Sequence, residues 1–152
     1  MPYEIDINEV STCLWRRVRR TGRRLTLVYD RALAPSGVSA NQFDILANLF
    51  AARLQRRDGV SLGELAAPMG MHPTTLTREL KPMIARGWVA QRAAAHDRRT
   101  RPVALTELGC ETLRAAVPLW RGAQRGLEAA LGPEASKALS ATLDLAFEKS
   151  MT

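Results

Sequence analysis

The stretch His72–Pro82, "HPTTLTRELKP", decides how this chain is read. It opens on a proline after His72, places three threonines within two turns and then meets a second proline, Pro82. Threonine is an indifferent helix former, and a proline inside a helix costs about 3 kcal/mol. Helical spacing over residues 73–86 nevertheless gathers Leu76, Leu80, Met83 and Ile84 on one face, at i, i+4, i+7 and i+8. Pro73 falls in the first turn, where its missing N–H does no harm. The other side carries Thr74, Thr75, Arg78 and Lys81, with Thr77 at its edge and the single acid, Glu79, between the faces. Such a face, without a carboxylate, suits a DNA major groove. Arginine can bind guanine through two bonds, and threonine can touch a thymine methyl or a phosphate. The same threonines could instead satisfy free N–H groups of the first turn. Pro82 either kinks the helix after its outward-facing turns or ends it.

Working outward, Ser61 and Glu64 form a capping box opening a short helix from Leu62 to Met69, closed by Gly70. With the "GMH" turn this makes a helix-turn-helix, whose second helix presents its N-terminal residues to base edges. His72 is read as a helix cap or a phosphate contact. Gly87 caps the far end. "WVAQRAA" (88–94) and "TRPVAL" (100–105) read as two short strands around "HDRR". Arg98, Arg99 and Arg101 lie at or beside that turn with Asp97 among them. An arginine on such a loop can enter a narrow minor groove, and Asp97 can hold one arginine in a single rotamer. Read blandly, the same residues are a charged hairpin tip kept in solvent.

Helices flank this centre. Residues 8–33 read as one long helix with a stripe of Leu14, Val18, Leu25, Val28, Tyr29, Ala32 and Leu33, and with six arginines between Arg16 and Arg24 on its other faces. Pro35 and Gly37 end it. Ser39 and Gln42 form another capping box, and Phe43, Ile45, Leu46, Leu49 and Phe50 mark the next helix. Thr106 starts a long helix to about Leu131, interrupted by Pro118. Gly132-Pro133 breaks it, and a last helix runs from about Glu134 to Glu148. The expected fold is therefore mainly α with a small β-hairpin.

The chain has 152 residues and a net charge of +7, which suits one domain with a real core. The charge is concentrated: residues 53–101 hold ten Arg/Lys against four Asp/Glu, a net +6, while the segments before and after carry +2 and −1. A basic middle between near-neutral ends implies a polyanionic partner or, more simply, a solvated basic surface. No apolar run approaches the roughly 18 residues of a membrane span. The first ten residues carry acids and no apolar core, so no secretory signal is read. Two cysteines are too few for a disulfide framework, and a cytoplasmic, nucleoid-associated setting is expected.

"VSLGELAAPMGMHPTTLTRELKPMIARGWV" followed by "HDRRTRPVALTELG" resembles the MarR family of bacterial regulators. "TTLTRELKPMIARGWV" and the "DRR…ALTELG" ending carry the likeness most specifically, and "LTLVYDRALAPSGVSANQFDIL" also fits, so it covers nearly the whole chain. The resemblance implies a winged helix-turn-helix homodimer that binds palindromic double-stranded operators, usually as a repressor. It assigns the dimer interface to the terminal helices, 8–34 and 106–150, and DNA binding to a lobe spanning 39–105. It carries the recognition role to Thr74, Thr75, Thr77, Arg78 and Lys81, and the wing role to Asp97 and Arg99, with Arg99 in the minor groove. The residues agree that the terminal helices exceed what a small lobe needs. Their stripes could meet across a two-fold axis or fold back within one chain. A two-fold dimer would set two recognition helices about 34 Å apart, one turn of DNA.

The resemblance also implies release by a small aromatic or anionic effector held between the terminal helices and the DNA-binding lobe. Trp15, Arg16, Arg19 and Tyr29 are the candidates, since a guanidinium beside an indole suits an aromatic carboxylate. Another branch of the family senses peroxide with a thiol. Cys13 is the candidate here, although the reactive position of that branch falls near Trp15. Cys110 is read as packing. His72 and His96 lack partners at ligand spacing, so neither a metal site nor a cofactor is expected. No nucleotide loop, nucleophile elbow or paired acids point to an enzyme. The rival readings are a non-specific nucleoid-type DNA binder and a protein-interaction module.

Overall fold

The structure, a computed structural model, describes residues 6–91 and 101–150. Its helices are α1 (Ile7–Ser11), α2 (Leu14–Leu33), α3 (Ala40–Leu54), α4 (Leu62–Ala66), α5 (Pro73–Ala85), α6 (Glu107–Leu131) and α7 (Pro133–Lys149). Strands β1 (Val89–Gln91) and β2 (Val103–Leu105) form an antiparallel pair with Val89 opposite Leu105 and Gln91 opposite Val103. This is a winged helix-turn-helix lobe between long terminal helices.

Both capping boxes form. Ser39 accepts from the Gln42 amide while the Gln42 side chain accepts from the Ser39 amide, and Ser61 and Glu64 do the same at α4. Each pair satisfies two amides that the first turn leaves free. The Ser61 contacts and the Arg57 guanidinium lower the Glu64 pKa to about 2 from the usual carboxylate value. After Ala66 the chain tightens into a 3₁₀ turn, Ala67–Met69, so the expected helix to Met69 is α-helical only as far as Ala66. Gly70 then adopts the left-handed conformation, φ 60°.

The core lies in the lobe. Ile45, Leu46 and Leu49 of α3 meet Leu65, Leu76, Leu80, Met83, Val89 and Val103, and Leu113 of α6 closes the cluster. Val60 adds a short antiparallel bridge to Val103, an extra edge of the hairpin that no sequence pattern announced. Ile84, assigned above to the buried face of α5, is 38% exposed, because three buried side chains already fill the groove against α3.

Two breaks in the long helices differ from expectation. The helix expected over 8–33 is broken at Thr12–Cys13. The hydroxyls of Ser11 and Thr12 donate to the carbonyls of Asn8 and Glu9, and Cys13 turns extended, ψ 121°. Short polar side chains compete with the helix backbone in this way. Pro118 interrupts nothing: α6 runs continuously through it, packed against α2 and α3. The stripe of α2 is mostly uncovered, with Leu14, Val18 and Val28 exposed and only Leu33 buried.

The junction between hairpin and α6 is tight. Thr106 caps α6 by accepting from the Gly109 amide at 3.0 Å, and its hydroxyl lies 2.6 Å and 2.9 Å from the carbonyls of Gly87 and Trp88. A Cβ at Gly109 would come within 2.1 Å of the Trp88 carbonyl oxygen. Gly109→Ala is therefore expected to cost about 1–3 kcal/mol through forced displacement, read as a lower melting temperature. Glu64 contributes stability above its unfolded pKa that is lost as pH falls from about 4.5 toward 2. Glu64→Gln should flatten that part of the acid-stability curve, measured by denaturant titration at stepped pH.

Candidate nucleic-acid interface

The outward face of α5 is held by what α5 buries. Leu76, Leu80 and Met83 are at most 1% exposed, so rotation of the helix about its axis would uncover them. Thr74, Thr75, Thr77, Arg78 and Lys81 consequently face solvent. His72 caps the helix. Its Nδ1 accepts from the Thr74 amide at 3.3 Å and lies 2.8 Å from the Thr74 hydroxyl. Thr77 donates to the Pro73 carbonyl at 2.9 Å, which anchors its hydroxyl to the first turn. Glu79 accepts from Asn41 of α3 at 3.4 Å, keeping the one acid of the helix turned aside.

Pro82 lies inside α5, which continues to Ala85. The helix therefore does not stop at this proline. Gly87, φ 73°, ends it, with its amide bonding the Ile84 carbonyl at 2.9 Å and the Trp88 amide bonding that of Met83 at 3.0 Å. Arg86 fastens this end twice. It donates to the Gly37 carbonyl at 2.8 Å, and its guanidinium lies 4.8 Å from the Trp88 ring centroid. The sequence reading missed Arg86. It also missed Asp30, whose carboxylate caps α3 by accepting from the Ala40 amide at 2.7 Å. Neither has a local spacing signal, because each acts on a carbonyl or amide of another element.

Among the described residues, Arg78, Lys81 and Arg101 make no ion pair or hydrogen bond. Ion pairs among the described residues lie elsewhere, at Arg53–Glu107 and Arg57–Glu64. Two cations with uncommitted donors thus share one helical face with three threonines, able to meet phosphates and base edges. Arg101 is exposed just before β2. Asp97, Arg98 and Arg99, with His96, lie outside the described residues.

The four effector candidates do not form one site. Trp15, Arg16 and Arg19 line a groove along the first half of α2 with Arg20 and Arg23, and the Arg19 guanidinium stacks 5.1 Å from the Trp15 ring. Tyr29 lies fourteen positions further along the same helix, about 21 Å away at the helical rise. It donates to Gln124 of α6 at 2.5 Å and borders a cavity of about 370 Å³ with Leu33, Phe43 and Trp120. Desolvation first, and then Glu128, raise its pKa. Phe43 and Trp120 stack there, centroids 5.7 Å apart. Cys13 is exposed at the break between α1 and α2, whereas Cys110 is buried in the core and receives a bond from Arg53. Among the described residues no three or more His, Cys, Asp or Glu side chains cluster as a metal site, and no helix is long and apolar enough to cross a membrane.

Comparison with known proteins agrees with this geometry. The MarR family model matches residues 36–100. The transcriptional regulator MosR of M. tuberculosis, solved in complex with DNA, is 38% identical and superposes with a TM-score of 0.75 over 92% of this chain and 99% of its own. The transcriptional repressor CouR, bound to a 23-mer DNA duplex, is 25% identical with a TM-score of 0.78 over 93% of this chain and 97% of its own. The transcriptional repressor MprA of Escherichia coli K12 is 30% identical over 89 residues, 59% of this chain. That match spans about half, 49%, of the curated relative's length. The chain belongs to the MarR family, and the relatives named here are transcriptional regulators rather than enzymes.

Proposed function

We propose that this protein is a sequence-specific DNA-binding regulator, a homodimeric repressor that leaves a palindromic operator when a small aromatic or anionic effector binds. It acts in the cytoplasm, on the nucleoid, and performs no catalysis of its own. The observation that carries this reading is the outward face of α5, where Arg78 and Lys81 are exposed and uncommitted while Leu76, Leu80 and Met83 hold the helix in place. The DNA complexes of MosR and CouR support it. A non-specific DNA binder would not need side chains capable of bidentate base contacts aligned on a pinned helix.

Dimerisation is supported by apolar surface at the ends of the chain. Ile7, Val10, Leu14, Val18, Leu139 and Leu145 are each at least 38% exposed, on helices that bury little else. A second copy would cover them across a two-fold axis. In this arrangement residues 8–34 and 106–150 are the dimerisation helices and 39–105 the DNA-binding lobe. Arg99 of the wing then reaches the minor groove.

Arg78→Ala should lose about 1–3 kcal/mol on the operator and much less on random DNA, measured by gel shift at fixed salt. Equal losses on the two DNAs would contradict base reading by Arg78. Arg99→Ala should instead weaken binding across sequences, with the log–log salt slope smaller by roughly one. Val18→Asp should convert the dimer to a monomer in sedimentation equilibrium at micromolar concentration.

A further inference from the structure

The three threonines of α5 are chemically unequal. All three, Thr74, Thr75 and Thr77, are exposed in its first turns. A threonine hydroxyl has one proton to give and two lone pairs, and the same side chain carries a methyl group. What each threonine can offer a ligand depends on where its proton already goes.

Thr77 gives its proton to the Pro73 carbonyl at 2.9 Å, four residues back in the chain. A branched side chain has few rotamers in a helix, and a hydroxyl bonded to the preceding turn selects among them. The two branches on Cβ point apart. With the oxygen turned back toward Pro73, the Cγ2 methyl is the branch left to meet a partner. A phosphate oxygen only accepts, so a hydroxyl whose proton is committed is a poor phosphate ligand. The other two threonines differ. The Thr74 hydroxyl lies 2.8 Å from Nδ1 of His72, an exposed side chain that can turn away and free it. The Thr75 hydroxyl has no hydrogen-bond partner among the described residues and keeps its donor.

Position adds to this. On the helix surface Thr77 has Thr74 one turn before it and Lys81 one turn after it, so it borders the cationic outward face. In the major groove the apolar group on a base edge is the C5 methyl of thymine, which distinguishes an A·T pair from the others by contact alone. We propose that Thr77 selects a thymine in each half-site by packing its Cγ2 methyl against the thymine C5 methyl, while its hydroxyl serves the helix. This rests on the DNA-reading function proposed above and gives that function one base of its target.

The test separates methyl from hydroxyl on both molecules. An operator is selected from random-sequence duplexes with the intact protein. Each of its thymines is then replaced by deoxyuridine, which pairs alike but lacks the C5 methyl, and affinities are read by gel shift at fixed salt. One thymine position should show a loss of about fourfold per half-site, the worth of one buried methyl group. Thr77→Val keeps a methyl branch in a stiff helical rotamer, and should bind the thymine operator within about twofold of the original protein and show the same loss. Thr77→Ser keeps the hydroxyl and its bond to Pro73 but has no methyl, and should bind the thymine and deoxyuridine operators alike. Both variants are first checked by thermal melting to be folded. The proposal is overturned if no thymine position is sensitive, if the sensitivity persists in Thr77→Ser, or if Thr77→Val loses it. Any of these results on a specific operator sinks the thymine assignment and leaves the regulator reading standing. If selection yields no preferred sequence, the regulator reading fails and the thymine assignment falls with it.

Discussion

The burial of Leu76, Leu80 and Met83 against α3 is the constraint on which the rest depends. Each side chain contributes about 1.5–3 kcal/mol when removed from water, enough together to pin one rotational setting of α5. With that setting chosen, Arg78 and Lys81 have no direction left but outward. Polar ties then refine it: His72 at the start, Asn41 with Glu79 in the middle, and Arg86 on Gly37 and Trp88 at the end. These contacts use carbonyls, an amide and an aromatic face, so they leave the cations of the outer face free.

The same separation of roles runs through the whole chain. The lobe holds most of the buried side chains, and α1 and α7 bury none. Apolar residues at the ends stay exposed in the single chain, and they are the ones the proposed homodimer would cover. The last helix touches the lobe directly, since the Phe147 ring lies against Gly70, where a Cβ would sit 3.0 Å from its Cε2. Family membership explains the general plan, while these contacts belong to this chain.

Much of this was legible before any coordinates. The capping boxes at Ser39–Gln42 and Ser61–Glu64, Pro73 in the first turn, Gly70 and Gly87 at helix ends and Thr106 as a cap all act within a few residues, so their spacing is visible in the chain. Readings failed where longer-range energy competed with local preference. Pro118 looked like an interruption, but packing of α6 against α2 and α3 outweighs one missing hydrogen bond. Ser11 and Thr12 looked compatible with a helix, yet their hydroxyls captured the carbonyls and broke it. Trp15 and Tyr29 shared a helix and were grouped, although fourteen positions of rise keep them apart.

By itself the sequence determined the helix-turn-helix, the face of α5 that carries Arg78 and Lys81, and the basic charge concentrated around it, because periodicity, caps and composition are local properties. Only the tertiary structure decided how that face is braced and what surrounds it. Arg86 on Gly37, Asp30 on the start of α3 and Val60 beside Val103 join residues from different elements of the chain. No local spacing encodes such meetings; they arise when the burial of apolar side chains in the lobe brings the elements together.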